Sequence, residues 1–194
     1  AFNRFLVPLP KLDRDDPDST LIVETALQTP VQPATEKEIS CFVGDFLEGR
    51  GDGRIASEYG MAPFRMRVSS VERTFVDKVF AICDYDLEGR AAGRQSRHIY
   101  ALHMMLGSVA LDDDLLRLFD VVRRQRRGQF MCASAEDDVD LAAVVESALE
   151  SEAYRADYES VTLPLLFDPV PYDEAASCLA AISAFLRQGG ETGE

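Results

Sequence analysis

The clearest hydrophobic pattern in the chain begins just after residue 70, where apolar residues recur every three or four positions. This spacing is typical of one buried face of an α-helix. Ser69 and Glu72 precede the pattern in the S-x-x-E spacing, in which the serine caps the first turn and the glutamate reaches back to the cap. The sequence therefore predicts a long amphipathic helix with these residues on its buried face: Phe75, Val76, Val79, Phe80, Ile82 and Cys83.

A second helix is predicted to begin near Ser96, because apolar residues recur with helical spacing beyond that position. His103 falls on the apolar side of this helix and is interpreted as a core histidine rather than a metal ligand. The segment that joins the two helices carries Arg90, Arg94 and Arg97. Two helices joined in this way can gather several cations near one acidic residue.

Before residue 70 the pattern changes to an alternation of apolar and polar positions, which predicts β-strands. Strands are predicted at 2–9, 21–27 and 64–68, with a helix at 36–47. Glu24 stands in the middle of the second of these strands and has two interpretations. It is either exposed to water on an edge strand, or it is a carboxylate directed into a metal or catalytic cleft.

After Gly107 every amphipathic segment has helical spacing. One helix follows the three aspartates at 112–114, and two more are predicted at 139–159 and 172–188. The aspartates are interpreted as acids that cap a helix and stabilise the positive end of its dipole, rather than as metal ligands.

The order of these elements predicts a fold of the α/β class in its α+β form. A small mixed sheet would lie in an α/β half at 1–70, and a helical bundle would follow at 71–188. Residues 189–194 are predicted to form a disordered tail. With 194 residues, of which 46% are apolar, the chain is long enough for one domain with a proper core.

The four cysteines lie far apart and include no C-x-x-C pair, which argues against a zinc cluster or a disulfide scaffold and fits a reducing cytosol. Neither a signal peptide nor an apolar run of about 18 residues is present, so we expect a cytoplasmic protein that enters no membrane. The chain begins at Ala1 without a methionine, and we expect a fragment or a processed product. The sequence has no G-x-S-x-G elbow, P-loop or G-x-G-x-x-G motif, which argues against hydrolase and kinase functions.

The formal net charge of −14 works against nonspecific nucleic-acid binding, which depends on cations. Arginines are nevertheless concentrated in a basic block at 117–127. The block has two interpretations. It is either a surface that contacts RNA, or a solvated helix end at which the negative end of the helix dipole stabilises the arginines. The candidates for RNA contact are Arg123, Arg124, Arg126 and Arg127.

Two segments carry a resemblance to a known family. The string RTFVDK at 73–78, followed by SRHIYAL at 96–102, resembles the RTFxEK…SRHxYDL signature of the AbiEii/AbiGii-type nucleotidyltransferases. Those proteins are bacterial toxins and their relatives in abortive-infection and toxin–antitoxin systems. Weaker similarity extends over most of the chain, at LIVE (21–24), at the tripeptide 156–158 and in the final amphipathic segment.

The resemblance implies transfer of a nucleoside monophosphate from a nucleoside triphosphate to RNA such as tRNA, with Mg²⁺ as cofactor. Such a reaction needs a carboxylate-bound metal and cations that offset the charge of the leaving pyrophosphate. Lys78 would act on phosphate as a point charge and Arg73 as a planar fork. Thr74 and Arg97 would also contact the nucleotide phosphates. Asp77 would orient one of the cations, or it would simply form an ion pair with Arg73, which lies four residues earlier on the helix.

The chain also departs from the family pattern. Asp77 stands where the family has glutamate, Ala101 stands where it has aspartate, and no Gly-Ser-type stretch followed by D-x-D occurs before residue 60. In one hypothesis the chain is an enzyme whose main metal site lies in residues before Ala1, with Glu24 as an accessory acid and metal ligand. In the other it is a catalytically inactive descendant, an interaction module of a toxin–antitoxin or phage-defence system that pairs with itself or with an antitoxin.

Overall fold

The computed structural model describes residues 2–11, 13, 19–26, 32–91 and 93–191. The chain divides into two compact units, Ala1–Gln32 and Pro33–Glu194. This division falls well before residue 70. The boundary predicted at residue 70, between an α/β half and a helical half, stays a prediction. Among the described residues, no helix is long and apolar enough to cross a membrane.

The first unit contains an antiparallel pair of strands, β1 (Phe2–Pro8) and β2 (Thr20–Ala26). Both strands were predicted, and their observed ends lie within a residue of the predicted ones. Glu24 lies opposite Arg4 in this pair. The described side chains of both strands are exposed, so the alternation of residues does not mark a buried face within this unit.

The second unit begins with a second antiparallel pair, β3 (Ala34–Ile39) and β4 (Phe64–Ser69). Two short helices, α1 (Phe42–Gly49) and α2 (Gly53–Glu58), connect these strands and pack on each other. The α+β class is confirmed. The strands of the described chain form two separate antiparallel pairs, where one small mixed sheet was expected.

The helix predicted at 36–47 is wrong in its first part, because residues up to Ile39 belong to β3. Glu36 and Glu38 lie opposite Arg67 and Arg65 in the strand pair, so the ladder sets opposite charges against each other. The helix begins only after Cys41, whose sulfur accepts a hydrogen bond from a backbone N–H of the first turn.

The described residues of the helical part of the second unit form six helices: α3 (Val71–Leu87), α4 (Arg97–Leu106), α5 (Asp113–Arg126), α6 (Leu141–Glu150), α7 (Arg155–Asp157) and α8 (Tyr172–Glu191). α3 and α4 correspond to the two segments that resemble the family signature, and a 3₁₀ turn at Ala133–Ala135 follows α5. A π turn, Tyr158–Thr162, and a second 3₁₀ turn, Leu163–Leu165, follow α7.

The serine that caps α3 is Ser70 and not the predicted Ser69. The Ser70 hydroxyl accepts a hydrogen bond from the Arg73 backbone N–H at 3.2 Å, whereas Ser69 is the last residue of β4. The interpretation of the acids before α5 is confirmed, since the Asp112 carboxylate accepts from the Leu115 backbone N–H at 3.0 Å.

The helix predicted at 139–159 is interrupted, because α6 ends at Glu150 and a turn follows in which Glu152 has a left-handed φ of 49°. The final helix is longer than predicted, since α8 continues to Glu191. Gly189 lies inside α8 and allows close packing there: a Cβ at this position would come within 2.6 Å of the Leu116 side chain. The disordered tail predicted at 189–194 is therefore wrong for residues 189–191, which belong to α8, and residues 192–194 lie outside the described part of the chain.

The core of the second unit is built around α3, as the hydrophobic pattern predicted. All six residues of its predicted apolar face are buried. α3 packs against α4, α5 and α6, and α8 packs against α4 and α6. The buried Tyr154 hydroxyl donates to the Ile82 backbone carbonyl at 2.9 Å. His103 is only half-buried, so it lies at the edge of the core.

Candidate functional site

Two neighbouring faces of α3 carry the polar residues that the sequence singles out. With 3.6 residues per turn, Arg73, Asp77 and Asp84 lie along one face. Lys78 and Tyr85 are seven residues apart on the next face around the helix. The first face packs toward α5 and the turn at Ala133–Ala135, and the second carries the residues that contact α4. The two faces therefore serve different partners.

The first face holds a buried ion-pair cluster. Arg73 is 6% exposed, and its Nε donates to Asp77 Oδ2 at 2.9 Å while its Nη1 donates to Gln125 Oε1 on α5 at 2.8 Å. Arg126 lies on the other side of Asp77, with Nη1 at 3.8 Å from its Oδ1. The predicted Arg73–Asp77 pair is thus present, and it joins α3 to α5.

Asp84 is the second acid of this cluster and is 4% exposed. Its Oδ2 accepts from Arg126 Nη2 at 2.6 Å, and its Oδ1 accepts from the backbone N–H and hydroxyl of Ser134 at 2.8 and 2.6 Å. The Arg126 guanidinium also lies over the Phe80 ring at 5.4 Å. The cluster therefore fastens three segments together, and its guanidinium groups are already bonded to protein groups.

The second face contains a contact between Lys78 and the histidine of the SRHIYAL segment. Lys78 Nζ lies 3.5 Å from His98 Nδ1, and both side chains are half-buried. In the part of the chain that the structure describes, no carboxylate forms an ion pair with Lys78.

Burial and nearby positive charge lower the pKa of both groups. The pKa of Lys78 lies below its ordinary value because of burial and, second, the nearby positive charge of Arg97. The pKa of His98 is lowered to about 4, first by burial and then by the charges of Lys78 and Arg97. At neutral pH the site therefore consists of a neutral imidazole close to two cations.

A stack of three side chains, His98, Tyr85 and Arg90, extends from the Lys78 contact to the exposed Arg90. The Tyr85 ring stacks on the His98 ring, with centroids 6.0 Å apart and an angle of 12° between the planes. The Arg90 guanidinium lies over the Tyr85 ring at 5.3 Å and also pairs with Glu88. The stack fixes the plane of the His98 ring, and its outer end is the exposed cation Arg90.

The start of α4 is held by a buried carboxylate from the far end of the sequence. Asp157 accepts from the backbone N–H groups of Arg94 and Ser96, each at 3.0 Å. Burial acts to raise the pKa of Asp157, but hydrogen bonds from Ser96 and neighbouring N–H groups outweigh it and lower the pKa. The Ser96 hydroxyl is also bonded to the Thr162 hydroxyl at 2.7 Å. These contacts fix the backbone next to Arg97 and so the position from which the Arg97 side chain projects.

The remaining residues predicted for nucleotide or metal binding, Thr74 and Glu24, make local contacts. The Thr74 hydroxyl donates to the Ser70 carbonyl at 2.9 Å, one turn back along α3. Glu24 is exposed in the first unit, and its Oε1 forms an ion pair with Arg4 Nη2 at 2.5 Å. Of the two interpretations of Glu24, the described contacts agree with the exposed strand position.

The arginines predicted to contact RNA are largely engaged within the protein. Arg126 belongs to the buried cluster, Arg127 forms an ion pair with Asp137, and Arg123 donates to the Val139 carbonyl at 3.2 Å. Arg124 is exposed. The block at 117–127 is therefore mainly part of the packing of α5, and Arg124 is its most available cation.

Three residues of this region were missed in the sequence. His98 and Asp157 both lie inside segments that resemble the family pattern, SRHIYAL and the tripeptide 156–158, so a signal for them was present. Asp84 had no signal, because its partners Arg126 and Ser134 lie 42 and 50 residues further along the chain.

The described residues do not fit a bound divalent metal. No group of three or more His, Cys, Asp or Glu side chains among them could hold a metal ion. Asp77 and Asp84 are bonded to arginines, and Glu24 is bonded to Arg4. A cavity of about 450 Å³ beside the start of α5 is lined by Glu72, Asp112 and Asp114 among others, and these acids would repel a phosphate group.

The low pKa of His98 makes the stability of the protein dependent on pH. Protonation of this base is easier in the unfolded chain, where the pKa is 6.5, than in the folded protein, where it is about 4. Its contribution to stability is thus complete above pH 6.5 and is lost as the pH falls toward 4. Between pH 7 and pH 5, we expect the wild type to lose about 1–2 kcal/mol more unfolding free energy than His98→Gln. Urea denaturation at both pH values measures this difference, and equal losses would contradict it.

The comparisons with known proteins agree with the two signature segments. A family model described as nucleotidyl transferase AbiEii toxin, type IV TA system, matches residues 3–181. Neither a curated protein nor a solved structure matches the chain. Because the family match includes both faces of α3, the start of α4 and Asp157, and spans most of the 194 residues, the chain belongs to the AbiEii family of nucleotidyltransferase-like toxins of type IV toxin–antitoxin systems.

Proposed function

We propose that the chain binds a nucleoside triphosphate at Lys78 and Arg97 and transfers its nucleoside monophosphate to an RNA acceptor such as tRNA. The observation that carries this proposal is the cationic character of the site: in the described chain no carboxylate forms an ion pair with Lys78 or Arg97, and both cations act on the neutral His98 imidazole. Membership of the AbiEii family supports the reaction type.

Half-burial favours this role for Lys78. Attraction between an ammonium and a phosphate increases as water is excluded, because the effective dielectric constant falls. The cost of keeping Lys78 charged, which comes from its burial and from the nearby charge of Arg97, is already reflected in its lowered pKa. A triphosphate would remove that cost, so binding would be favoured both by new contacts and by relief of repulsion between the cations.

Arg73 and Asp77 have a positioning role in this proposal, since the Arg73 guanidinium is already bonded to Asp77 and Gln125. They hold α3 against α5 and so set the direction in which Lys78 projects. Asp157 has the equivalent role for Arg97, through its bonds to the N–H groups before α4. Phosphate would thus be bound by side chains that project from two firmly anchored helices.

Nucleotidyl transfer generally also uses a divalent metal, which offsets charge on the triphosphate. The described residues do not supply a site for it, so each step proposed for this chain involves its own side chains. Lys78 and Arg97 hold the phosphates and stabilise the negative charge of the leaving pyrophosphate. Arg124 and Arg90, both exposed, are the cations available to an RNA acceptor.

A transfer assay with an α-labelled nucleoside triphosphate and tRNA tests the proposal. We expect label to be transferred by the wild type, and Lys78→Ala to lower the rate about 10²–10³-fold, as removal of one charge-stabilising donor does in other enzymes. Lys37→Ala is the matched control, because Lys37 is exposed on β3 opposite Met66. The control should retain the wild-type rate.

Two results would contradict the proposal. One is transfer by Lys78→Ala at the wild-type rate. The other is absence of transfer from any of the nucleoside triphosphates, with tRNA or other RNA as acceptor, by a wild-type protein that is folded. The second result would favour the catalytically inactive interaction module as the function of this chain.

A further inference from the structure

His98 occupies a position that the triphosphate-binding proposal does not use. Its Nδ1 is 3.5 Å from the Lys78 ammonium, and its ring stacks on the Tyr85 ring, which fixes the orientation of the imidazole. An ammonium needs hydrogen-bond acceptors, and a neutral imidazole provides one at this nitrogen. The contact thus satisfies Lys78 only as long as the ring carries no proton there.

The charges that act on His98 come from two sides. α4 packs against α3, α8 and the π turn at Tyr158–Thr162. From α3, His98 meets the Lys78 ammonium and the stacked Tyr85 ring, and from its own helix it meets the charge of Arg97. Among the described residues of α8 and the π turn, no charged group acts on the ring. The free site therefore disfavours an imidazolium.

A bound polyphosphate would reverse this balance. Its negative charges, held by Lys78 and Arg97, would cancel the two positive charges that act on His98. Its oxygens would also accept hydrogen bonds from an imidazolium N–H and replace His98 as the acceptor for Lys78. Both effects favour the charged ring once the anion is in place.

We propose that His98 is a third ligand of the bound polyphosphate and that it binds as an imidazolium, so that nucleotide or pyrophosphate binding takes up one proton. The inference rests on the proposed triphosphate site and adds His98 to it. The proton comes from solvent, and no bond of the ligand is made or broken. If the Lys78–His98 contact served only packing, ligand binding would leave the protonation of His98 unchanged.

The chain offers a clean measurement, because His98 and His103 are its only histidines. Imidazole resonances of the full chain can be followed by NMR over a pH titration, without ligand and with saturating pyrophosphate. We expect the pKa of His98 to rise from about 4 in the free protein to near its ordinary value of 6.5 or above. His103 lies on the same helix, and its resonances serve as an internal reference.

Calorimetry with pyrophosphate provides the second measurement. Taking pKa values of about 4 for free His98 and 6.5 for bound His98, protonation should favour binding about tenfold at pH 5.5 relative to pH 8. Pyrophosphate itself titrates in this range, so the ratio of wild-type to His98→Gln affinity is the quantity to compare. This ratio should rise about tenfold as the pH falls.

The outcomes separate the two proposals. Pyrophosphate binding with an unchanged His98 titration and a constant affinity ratio would overturn the role of His98 and leave the triphosphate site intact. Failure of the wild type to bind either pyrophosphate or any nucleoside triphosphate would overturn both. Binding accompanied by the His98 shift, and lost in Lys78→Ala, would support both.

Discussion

Replacement of Asp84 by alanine is expected to lower the unfolding free energy by about 3–5 kcal/mol, the range for breaking a buried ion pair by removal of one partner. Asp84 is 4% exposed and accepts hydrogen bonds from Arg126 and from two groups of Ser134. Within the described part of the chain, the substitution leaves the Arg126 guanidinium with the more distant Asp77 as its remaining counterion, at 3.8 Å. Urea or thermal denaturation at neutral pH measures the loss.

Asp114→Ala is the matched control for this substitution. Asp114 also forms an ion pair with an arginine, Arg117, but its side chain is 85% exposed. Exposed pairs contribute about 0–1 kcal/mol, so the control should be close to the wild type. A loss below about 1 kcal/mol for Asp84→Ala would mean that the buried cluster does not fasten α3 to α5 and the turn at Ala133–Ala135.

Replacement of Phe80 by alanine should have a comparable effect, about 3–5 kcal/mol, because it leaves a large cavity in the core. Phe80 is fully buried on α3 and packs against the Phe119 ring of α5 at a centroid distance of 6.0 Å. It also supports the Arg126 guanidinium, which lies 5.4 Å above its ring. The substitution therefore removes apolar packing and weakens the adjacent ion-pair cluster.

Phe130→Ala tests whether the effect depends on position rather than on the loss of an aromatic residue. Phe130 is 92% exposed, so its removal should change the unfolding free energy by less than about 0.5 kcal/mol. Denaturation curves of the two variants should differ strongly in midpoint. Similar midpoints for both would contradict the assignment of Phe80 to the core.

Local patterns predicted those parts of the fold that depend on neighbours in sequence. The buried face of α3 and the pair Arg73–Asp77 follow from helical periodicity, and both are confirmed. The cap of α3 was assigned to Ser69 because two adjacent serines are available and the S-x-x-E spacing selects the first. The backbone shows that Ser70 is the cap, because Ser69 belongs to β4 and Ser70 has the extended backbone conformation that is typical of a helix-capping residue.

The helix predicted at 36–47 shows where periodicity fails. The apolar residues of α1 have helical spacing, and the pattern was extended too far upstream to Ile39. Pairing with β4 determines the structure of residues 34–39, and no local signal reports a partner strand that begins at Phe64.

The candidate site depends still more on contacts between distant residues. Asp157 binds N–H groups 61 and 63 residues earlier, and Lys78 meets a histidine 20 residues later on another helix. Family resemblance identified the segments that meet, but neither spacing nor composition could show which atoms approach each other. The same limit applies to Asp84, whose place in the ion-pair cluster follows only from its contacts with Arg126 and Ser134.

The two faces of α3 explain why a short signature contains both structural and chemical residues. Arg73 and Asp77 anchor the helix, while Lys78, the last residue of RTFVDK, lies on the neighbouring face toward His98. A substitution on the first face should therefore act mainly through stability. A substitution of Lys78 should act mainly through ligand binding, because its side chain is only half-buried and lacks a carboxylate partner in the described chain.

The central claim is that Lys78 belongs to a triphosphate-binding site, and calorimetric titration with each nucleoside triphosphate tests it most directly. The wild type and Lys37→Ala should bind at least one triphosphate with the same affinity. Lys78→Ala should bind it about 10–100-fold more weakly, as expected for the loss of one charge-assisted hydrogen bond. Equal affinities of the wild type and Lys78→Ala, or absence of binding to every triphosphate, would contradict the claim.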